Sequence, residues 1–383
     1  MFTINTKLIR LCSLLSLCFI ACKQKSAQAA WVEQSQHGSF KVEKILQEKR
    51  AIWGFDFVSD QHIIYTLVSG QIKLFDLKSK SSLLIKDLDN VYVGGQGGLL
   101  DIAVHHNQNK TKSIYFCYST KTKEGQSTAL AKADLSNNKL ENLKTLFTAQ
   151  PYFKTSHHFG CRIAFDGQGS LFLSVGDRGN RDLAQSLNSH NGKILRLDLD
   201  GKPAKNNPFV KTKDAKPEIW SYGHRNPQGL FFDINSNTLY EQEHGPKGGD
   251  EINIIEKGKN YGWPIITYGK EYSGFKINGG LNKKDGLEQP LHYYVPSIAP
   301  SGLAQYRGTV LKFWDQDLFS GALALTHINR IRIKNGKVVE EERLLKNLKQ
   351  RIRHVKMGPD EKLYFSTDSG DLYCIDANNN PGI

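Results

Sequence analysis

A chain of 383 residues with 39% apolar and 10% aromatic side chains has enough apolar material for one large or two ordinary domains, and this composition argues against disorder. The formal net charge is +13, of which Lys7, Arg10, Lys23 and Lys25 fall in the first 29 residues, leaving about +9 on the remainder. A surface of that charge could attract anionic partners, lipid or nucleic acid, but the basic residues are scattered singly rather than blocked, which argues against a nucleic-acid partner.

The chain opens with Lys7 and Arg10 followed by the apolar run Leu11 to Ala21, read as an export signal over residues 1–29. That run is shorter than the roughly 20 apolar residues a bilayer span needs. Ala27-Gln28-Ala29 offers an ordinary cleavage site, whereas Phe19-Ile20-Ala21-Cys22 resembles a bacterial lipobox with Phe in place of the usual Leu. The reading leans to lipidation at Cys22, with 1–21 as a lipoprotein signal. Either way the protein is expected outside the cytoplasm, periplasmic or tied to the outer membrane, with membrane contact only through the lipid. Residues 30–49 read as a lead-in, 50–376 as the folded domain and 377–383 as a tail.

Within 50–376 one pattern recurs: a short apolar alternation, a turn, then an apolar or aromatic run ending in Ser, Thr or Gly. The copies start at Gly54-Phe55-Asp56-Phe57, Leu100-Asp101-Ile102-Ala103, Arg162-Ile163-Ala164-Phe165, Gly229-Leu230-Phe231-Phe232, Ser301-Gly302-Leu303-Ala304 and His354-Val355-Lys356-Met357. Each copy reads as two strands joined by a Gly, Asp or Asn turn. Six copies at spacings of roughly 50 to 70 residues predict an all-β, six-bladed β-propeller of four-stranded antiparallel blades. The long inserts Asn180 to Trp220 and Gly258 to Pro296 are expected as loops on one face. Only Glu340 to Lys349 carries any helical period outside the signal. Cys117, Cys161 and Cys374 show no CxxC spacing, so buried free thiols are expected, with one disulfide at most.

Several segments carry chemistry. Gly94-Gly95-Gln96-Gly97-Gly98 lacks the spacing of a phosphate loop and reads equally as a plain turn or as a close backbone approach to a flat ligand, with Gln96 the side chain available to bond it. Of the adjacent His157 and His158, one at most should reach a shared site, where a near-neutral imidazole suits a general base, although a satisfied structural histidine is the commoner reason for such a residue. Asp177, in Val175-Gly176-Asp177-Arg178-Gly179, could orient that ring or serve as a plain turn residue. Gly223-His224-Arg225-Asn226-Pro227 sets a cation and an amide in a rigid frame suited to an anion. Glu243-His244-Gly245-Pro246, continuing to Asp250-Glu251-Ile252-Asn253, presents carbonyls and carboxylates of the kind that hard cations such as Ca²⁺ prefer. Arg351 and Arg353 alternate at a strand start and can face one way, although surface charge is the common reason for such a pair.

These segments, together with Gly192-Lys193-Ile194-Leu195-Arg196-Leu197, Asn260-Tyr261-Gly262-Trp263-Pro264 and Ala299-Pro300-Ser301-Gly302, occur in the order found in the pyrroloquinoline quinone (PQQ)-dependent soluble aldose sugar dehydrogenases, relatives of soluble glucose dehydrogenase. The resemblance covers approximately residues 50 to 376 and implies oxidation of aldoses at C1 to lactones, with PQQ and Ca²⁺ as cofactors and an unknown electron acceptor, quinone or cytochrome. It implies His158 as general base and Asp177 as the carboxylate holding it. It also implies Gln96, Arg225, Asn226, Tyr272, Arg351 and Arg353 as PQQ contacts, and the carbonyls of Gly245 and Pro246 as ligands of a PQQ-bound Ca²⁺. Glu251 and the Tyr261 carbonyl would ligate a second, structural Ca²⁺. A monomer or homodimer is expected. Three departures stand out: Ala324 where the family often has lysine, His354 where an aspartate commonly follows the two arginines, and Thr66-Leu67-Val68 for a Thr-Glu-Arg pattern. The competing readings are a non-catalytic secreted propeller that binds sugar or a surface partner, and a Ca²⁺-dependent hydrolase, for which no axial nucleophile or paired carboxylate cluster stands out.

Overall fold

Runs such as Ile63-Ile64-Tyr65-Thr66 and Leu171-Phe172-Leu173-Ser174 combine β-branched or aromatic residues with a hydroxyl at the end, and each becomes a strand buried on both faces. Sandwiching between neighbouring sheets explains why they read as continuous apolar runs rather than strict alternations. A computed structural model describes residues 30–106 and 112–378; the expected export signal, Cys22 and residues 379–383 lie outside them.

The described strands form six antiparallel sheets arranged as a six-bladed β-propeller. The innermost strands of the blades are Ile52–Ser59, Leu99–His106, Ile163–Phe165, Pro227–Asp233, Pro300–Gln305 and Ile352–Met357. Each touches the next, and the sixth touches the first, so the ring closes around a central axis. Every repeat copy covers the inner two strands of one blade. The outer strands, such as Ser81–Asp87 and Lys139–Thr148, are polar and largely exposed.

Four features differ from the sequence reading. The stretch read as a lead-in is built into the propeller: Gly38–Gln47 pairs with Asp371–Ala377 as the fourth strand of the last blade, and Trp31–Ser35 adds a fifth. Phe40 and Val42 from this strand are fully buried among Trp314, Phe319, Phe365 and Tyr373, with Phe40 and Trp314 ring centroids 4.9 Å apart. The long inserts are not plain loops, because Lys193–Asp198 and Ile219–Tyr222 complete the third blade and His292–Tyr294 completes the fourth. The Glu340–Lys349 segment is no helix. Its first half belongs to strand Lys337–Leu344, where Arg330 faces Glu340 and Glu342 across the sheet, and only one short turn, Lys346–Leu348, follows. Finally, Cys117 and Cys161 form a buried disulfide rather than free thiols, their Cα atoms 5.6 Å apart, whereas Cys374 is free and buried. A separation of 44 residues hides this pairing in the sequence, because only the packing of the second blade against the loop entering the third brings the two together.

The axis is plugged by one side chain. The buried Arg162 guanidinium donates to Asp101 Oδ1 (3.1 Å), the Gln228 carbonyl (2.8 Å), Ser301 Oγ (3.3 Å) and the Arg353 carbonyl (2.8 Å). It also stacks on Trp53 at 4.0 Å, so this third-blade arginine reaches the inner strand of all five other blades. Three of its partners, Trp53, Gln228 and Arg353, line one cavity at the axis, and Arg162 itself lines another beyond it.

Candidate active site

His158 lies on the loop that enters the third blade, in left-handed backbone with φ +55°. Its carbonyl presses so closely on Gly176 that a Cβ there would sit 2.2 Å away, which explains the glycine before Asp177. The His158 amide donates to Gln96 Oε1 at 2.8 Å, and its Nδ1 lies 2.6 Å from Asp177 Oδ1. Asp177 is 1% exposed and also accepts from the Gly179 amide (2.8 Å) and, on Oδ2, from Trp263 Nε1 (2.8 Å). Burial alone would raise the Asp177 pKa, but the hydrogen bond and charge of His158 and the Gly179 amide outweigh it, and the net shift is downward. Burial lowers the His158 pKa in spite of Asp177. The pair therefore rests as carboxylate and neutral imidazole. The carboxylate requires the proton on Nδ1, which leaves the Nε2 lone pair as the basic site. His157 does not join this pair; its ring packs edge-on against His158 and over Gly179.

Beside this pair, above the Arg162 plug, a cavity of about 290 Å³ is lined by Gly95, Gln96, Asn226, His244, Arg351 and Arg353, with Trp53, Val68, Leu100, Phe159 and Leu323 as its apolar walls. Arg351 and Arg353 face the same way, as their alternation predicts. Both are held by Asp368: Arg351 Nε donates to Oδ2 (2.7 Å) and Arg353 donates Nε to Oδ1 (2.7 Å) and Nη2 to Oδ2 (2.9 Å). Two cations against one carboxylate leave a net positive charge. Asp368 thus supplies the carboxylate that the resemblance expects after the arginines. His354, which holds that place in the sequence, points to the other side of the plug, buried near Asp101 and the Phe55 amide. Ala324 is exposed next to the lining residue Leu323, so the wall carries no third cation at that point.

Arg225 and Asn226 are held by one carboxylate, since Glu243 Oε2 accepts both of their amides. The Arg225 side chain lies over Trp263, its guanidinium carbon 5.3 Å from the ring centroid, and donates to the carbonyls of His244 (3.0 Å) and Gly245 (2.7 Å). The Gly245 carbonyl, expected as a calcium donor, therefore already faces a cation. Gly245 and the buried Pro246 sit in a loop fixed by Asp250, which accepts the Gly245 amide (2.9 Å) and the amides of Ile298 and Ala299 (2.8 Å each). A Cβ on Gly245 would meet the Gly249 carbonyl at 2.2 Å.

Not every expected residue joins the cavity. Tyr272 is 72% exposed and stands outside the lining, beside Glu271, which pairs with Arg181 at 2.6 Å. Half-buried Glu251 and buried Tyr261 lie apart from the cavity, grouped with the buried His224, Glu241 and Glu243. The Tyr261 ring stacks on His224 at 4.8 Å, and Asn253 Nδ2 donates to both Glu241 (3.1 Å) and Glu251 (3.5 Å). Burial, then the charge of Glu243, holds the Glu241 and Glu251 carboxyls well above the usual range. Sequence reasoning missed Asp368, the Trp263 bond to Asp177, and the His244 and Trp53 walls. Asp368 reads as an ordinary Asp-Ser-Gly turn, and Trp263 is visible only as part of a motif.

A family model described as Glucose / Sorbosone dehydrogenase matches residues 49–374. An aldose sugar dehydrogenase of Escherichia coli (strain K12) is 40% identical over 344 residues, 88% of this chain and 93% of that one. The solved apo-form of the soluble aldose sugar dehydrogenase from Escherichia coli superposes with a TM-score of 0.84 at 36% identity, covering 89% of this chain and 100% of that one. The PQQ-bound form of aldose sugar dehydrogenase from Streptomyces coelicolor gives a TM-score of 0.72 at 25% identity, with 88% and 97% covered. With a matching propeller and a cation-lined cavity beside a His–Asp pair, the chain belongs to the glucose/sorbosone dehydrogenase family of sugar-oxidising oxidoreductases.

Proposed function

We propose that this chain oxidises aldose sugars at C1 to lactones, with PQQ bound in the cavity above Arg162. The observation that carries the reading is the pairing of a neutral imidazole, fixed by Asp177 and Trp263, with a cavity bearing two arginines, Gln96 and Asn226. The donor set fits the cofactor: Arg351, Arg353 and Arg225 suit its carboxylates, while the amides and the flat Gly95 approach suit its ring. The relative from Streptomyces coelicolor, solved in its PQQ-bound form, supports this assignment. Bound there, the quinone would supply the two-electron acceptor for the C1 hydrogen.

His158 Nε2 takes the proton of the sugar's C1 hydroxyl, and Asp177 stabilises the imidazolium that results. Trp263 and Gly179 hold Asp177 in place, so the ring cannot turn away from the substrate. The carbonyls of Gly245 and Pro246 would hold Ca²⁺ at the cofactor, with Arg225 yielding the Gly245 carbonyl. Glu251 and the Tyr261 carbonyl would hold a second ion. On the strength of the 1–29 signal we place the reaction outside the cytoplasm, with the protein anchored through Cys22.

Reconstitution of the purified apoprotein with PQQ and Ca²⁺, followed by dye reduction with a panel of aldoses, tests the reading. Sugar-dependent reduction that requires PQQ is expected. Tight sugar binding without dye reduction at saturating PQQ would instead establish the non-catalytic propeller.

A further inference from the structure

Strands Thr238–Glu243 and Asp250–Ile255 place four polar side chains on one face of the fourth blade. Glu243 lies opposite Glu251, and Glu241 lies opposite Asn253. His224, from the turn that enters the same blade, closes the group, and ligand atoms of His224, Glu241 and Glu243 all lie within 4.8 Å of one another. All three residues are at most 4% exposed.

Charge compensation is missing. Among the described residues no Lys or Arg forms an ion pair with Glu241, Glu243 or Glu251; the one ion-pair partner in the group is His224, 3.3 Å from Glu243. Buried carboxylates without a cation are expensive, and this group sets Glu241 and Glu243 side by side with half-buried Glu251 next to them. One oxygen is also unused: Glu241 Oε2 accepts from Asn253, while Glu241 Oε1 is buried with no hydrogen-bond partner. His224 is set up as a ligand, because Ser221 Oγ lies 2.8 Å from Nε2 and can accept its proton, leaving Nδ1 free to face the carboxylates. A metal-ligating histidine typically has its second nitrogen held in this way.

We propose that His224 Nδ1, Glu241 and Glu243 form a divalent-metal site distinct from the cofactor cavity. One imidazole among carboxylate oxygens matches a first-row ion such as Mn²⁺ better than Ca²⁺, which prefers six to eight oxygens. The proposal does not depend on PQQ binding or on sugar oxidation. It differs from the Glu251–Tyr261 calcium reading in both its ligands and its ion. Its role is to neutralise the strand pair whose Glu243 also holds the amides of Arg225 and Asn226.

The test uses the full chain without PQQ, stripped with chelator and then titrated with Mn²⁺ alone and, separately, Ca²⁺ alone. Retained metal after desalting and melting temperature are read for wild type, Glu241→Gln and Glu251→Gln. The expected result is one retained Mn²⁺ in wild type, a higher melting temperature with Mn²⁺, and at least a tenfold loss of Mn²⁺ affinity in Glu241→Gln. In chelator, Glu241→Gln should melt no lower than wild type, since it loses an uncompensated carboxylate. If Glu241→Gln fails to fold, His224→Gln is read in the same way. Wild type that retains no Mn²⁺, or Glu241→Gln (or His224→Gln) that retains it as tightly as wild type, would overturn the proposal. Ca²⁺ retention lost only in Glu251→Gln belongs to the calcium reading, and dye-linked activity with PQQ and Ca²⁺ is scored separately.

Discussion

Asp177→Asn is the sharpest test of the His158 assignment. The native carboxylate accepts three donors, His158 Nδ1–H and the Gly179 amide on one oxygen and Trp263 Nε1–H on the other. An asparagine amide offers one acceptor oxygen, so its NH₂ must face either the imidazole or the indole. Facing His158, it donates to Nδ1, moves the ring proton to Nε2 and removes the base. Facing Trp263, it strands a buried N–H at about 1–3 kcal/mol. Because general-base catalysis is worth about 10²–10⁴ in rate, kcat should fall by that factor, and His158→Ala should do the same while cofactor still binds. Asp177 also raises the His158 pKa against the lowering effect of burial. Without the carboxylate that pKa falls further, so any acid limb in the residual activity should move to lower pH. The assay is the pH profile of dye-linked turnover, with ring tautomer read by ¹⁵N NMR. Turnover near wild type with Nε2 protonated would refute the mechanism.

Other outcomes follow from the same geometry. Arg225→Ala should weaken PQQ binding in a fluorescence titration, and Arg225→Lys should restore only part of it, because a point charge cannot reproduce the bidentate grip of a guanidinium on a carboxylate. Chelation should abolish dye-linked activity and lower the melting temperature, and Glu251→Gln in Ca²⁺ should lower melting temperature more than turnover at saturating PQQ. The Cys117–Cys161 link closes a 44-residue separation, so its loss in Cys117→Ser should reduce unfolding free energy by about 2–4 kcal/mol in denaturant titrations. His354 and His190 are held below the usual histidine value chiefly by burial. Below about pH 6.5 the unfolded chain binds protons that the native state refuses, so stability is full above that pH and is lost as pH falls, by up to about 1.4 kcal/mol per unit for each. Urea midpoints at pH 7 and pH 5 check this.

What the sequence revealed depended on where each strand packs. The two inner strands of every blade announce themselves, because burial on the axis and between blades forces apolar runs at regular intervals. The outer strands are solvated and carry no such pressure; Ser81–Asp87 and Lys139–Thr148 read as polar loop. Gly38–Gln47 escaped recognition because its partner lies at the far end of the chain, and no local signal marks so distant a pairing. The candidate site was legible where a motif needs a rigid local frame, as at Gly176-Asp177 and Gly245-Pro246. It was illegible where a side chain reaches in from another blade, as Trp263 does to Asp177, or sits in a plain turn of the same blade, as Asp368 does opposite the two arginines. Tyr272 was named from the resemblance alone, and its exposure keeps it out of the cavity wall.

The pairing of Gly38–Gln47 with Asp371–Ala377 also orders events in time. The first of these strands leaves the ribosome early and must wait for almost the whole chain before its partner exists. Five blades can assemble from contiguous segments, but the sixth joins the two ends of the chain, at a chain-closure entropy of about 5 kcal/mol. Until it does, the unpaired edges of Gly38–Gln47 and Asp371–Ala377 are open to strands of other chains. The completed clasp is therefore the step at which this protein escapes aggregation, and deletion of Trp31–Gln47 should reduce soluble yield far more than loss of an exposed terminal strand alone.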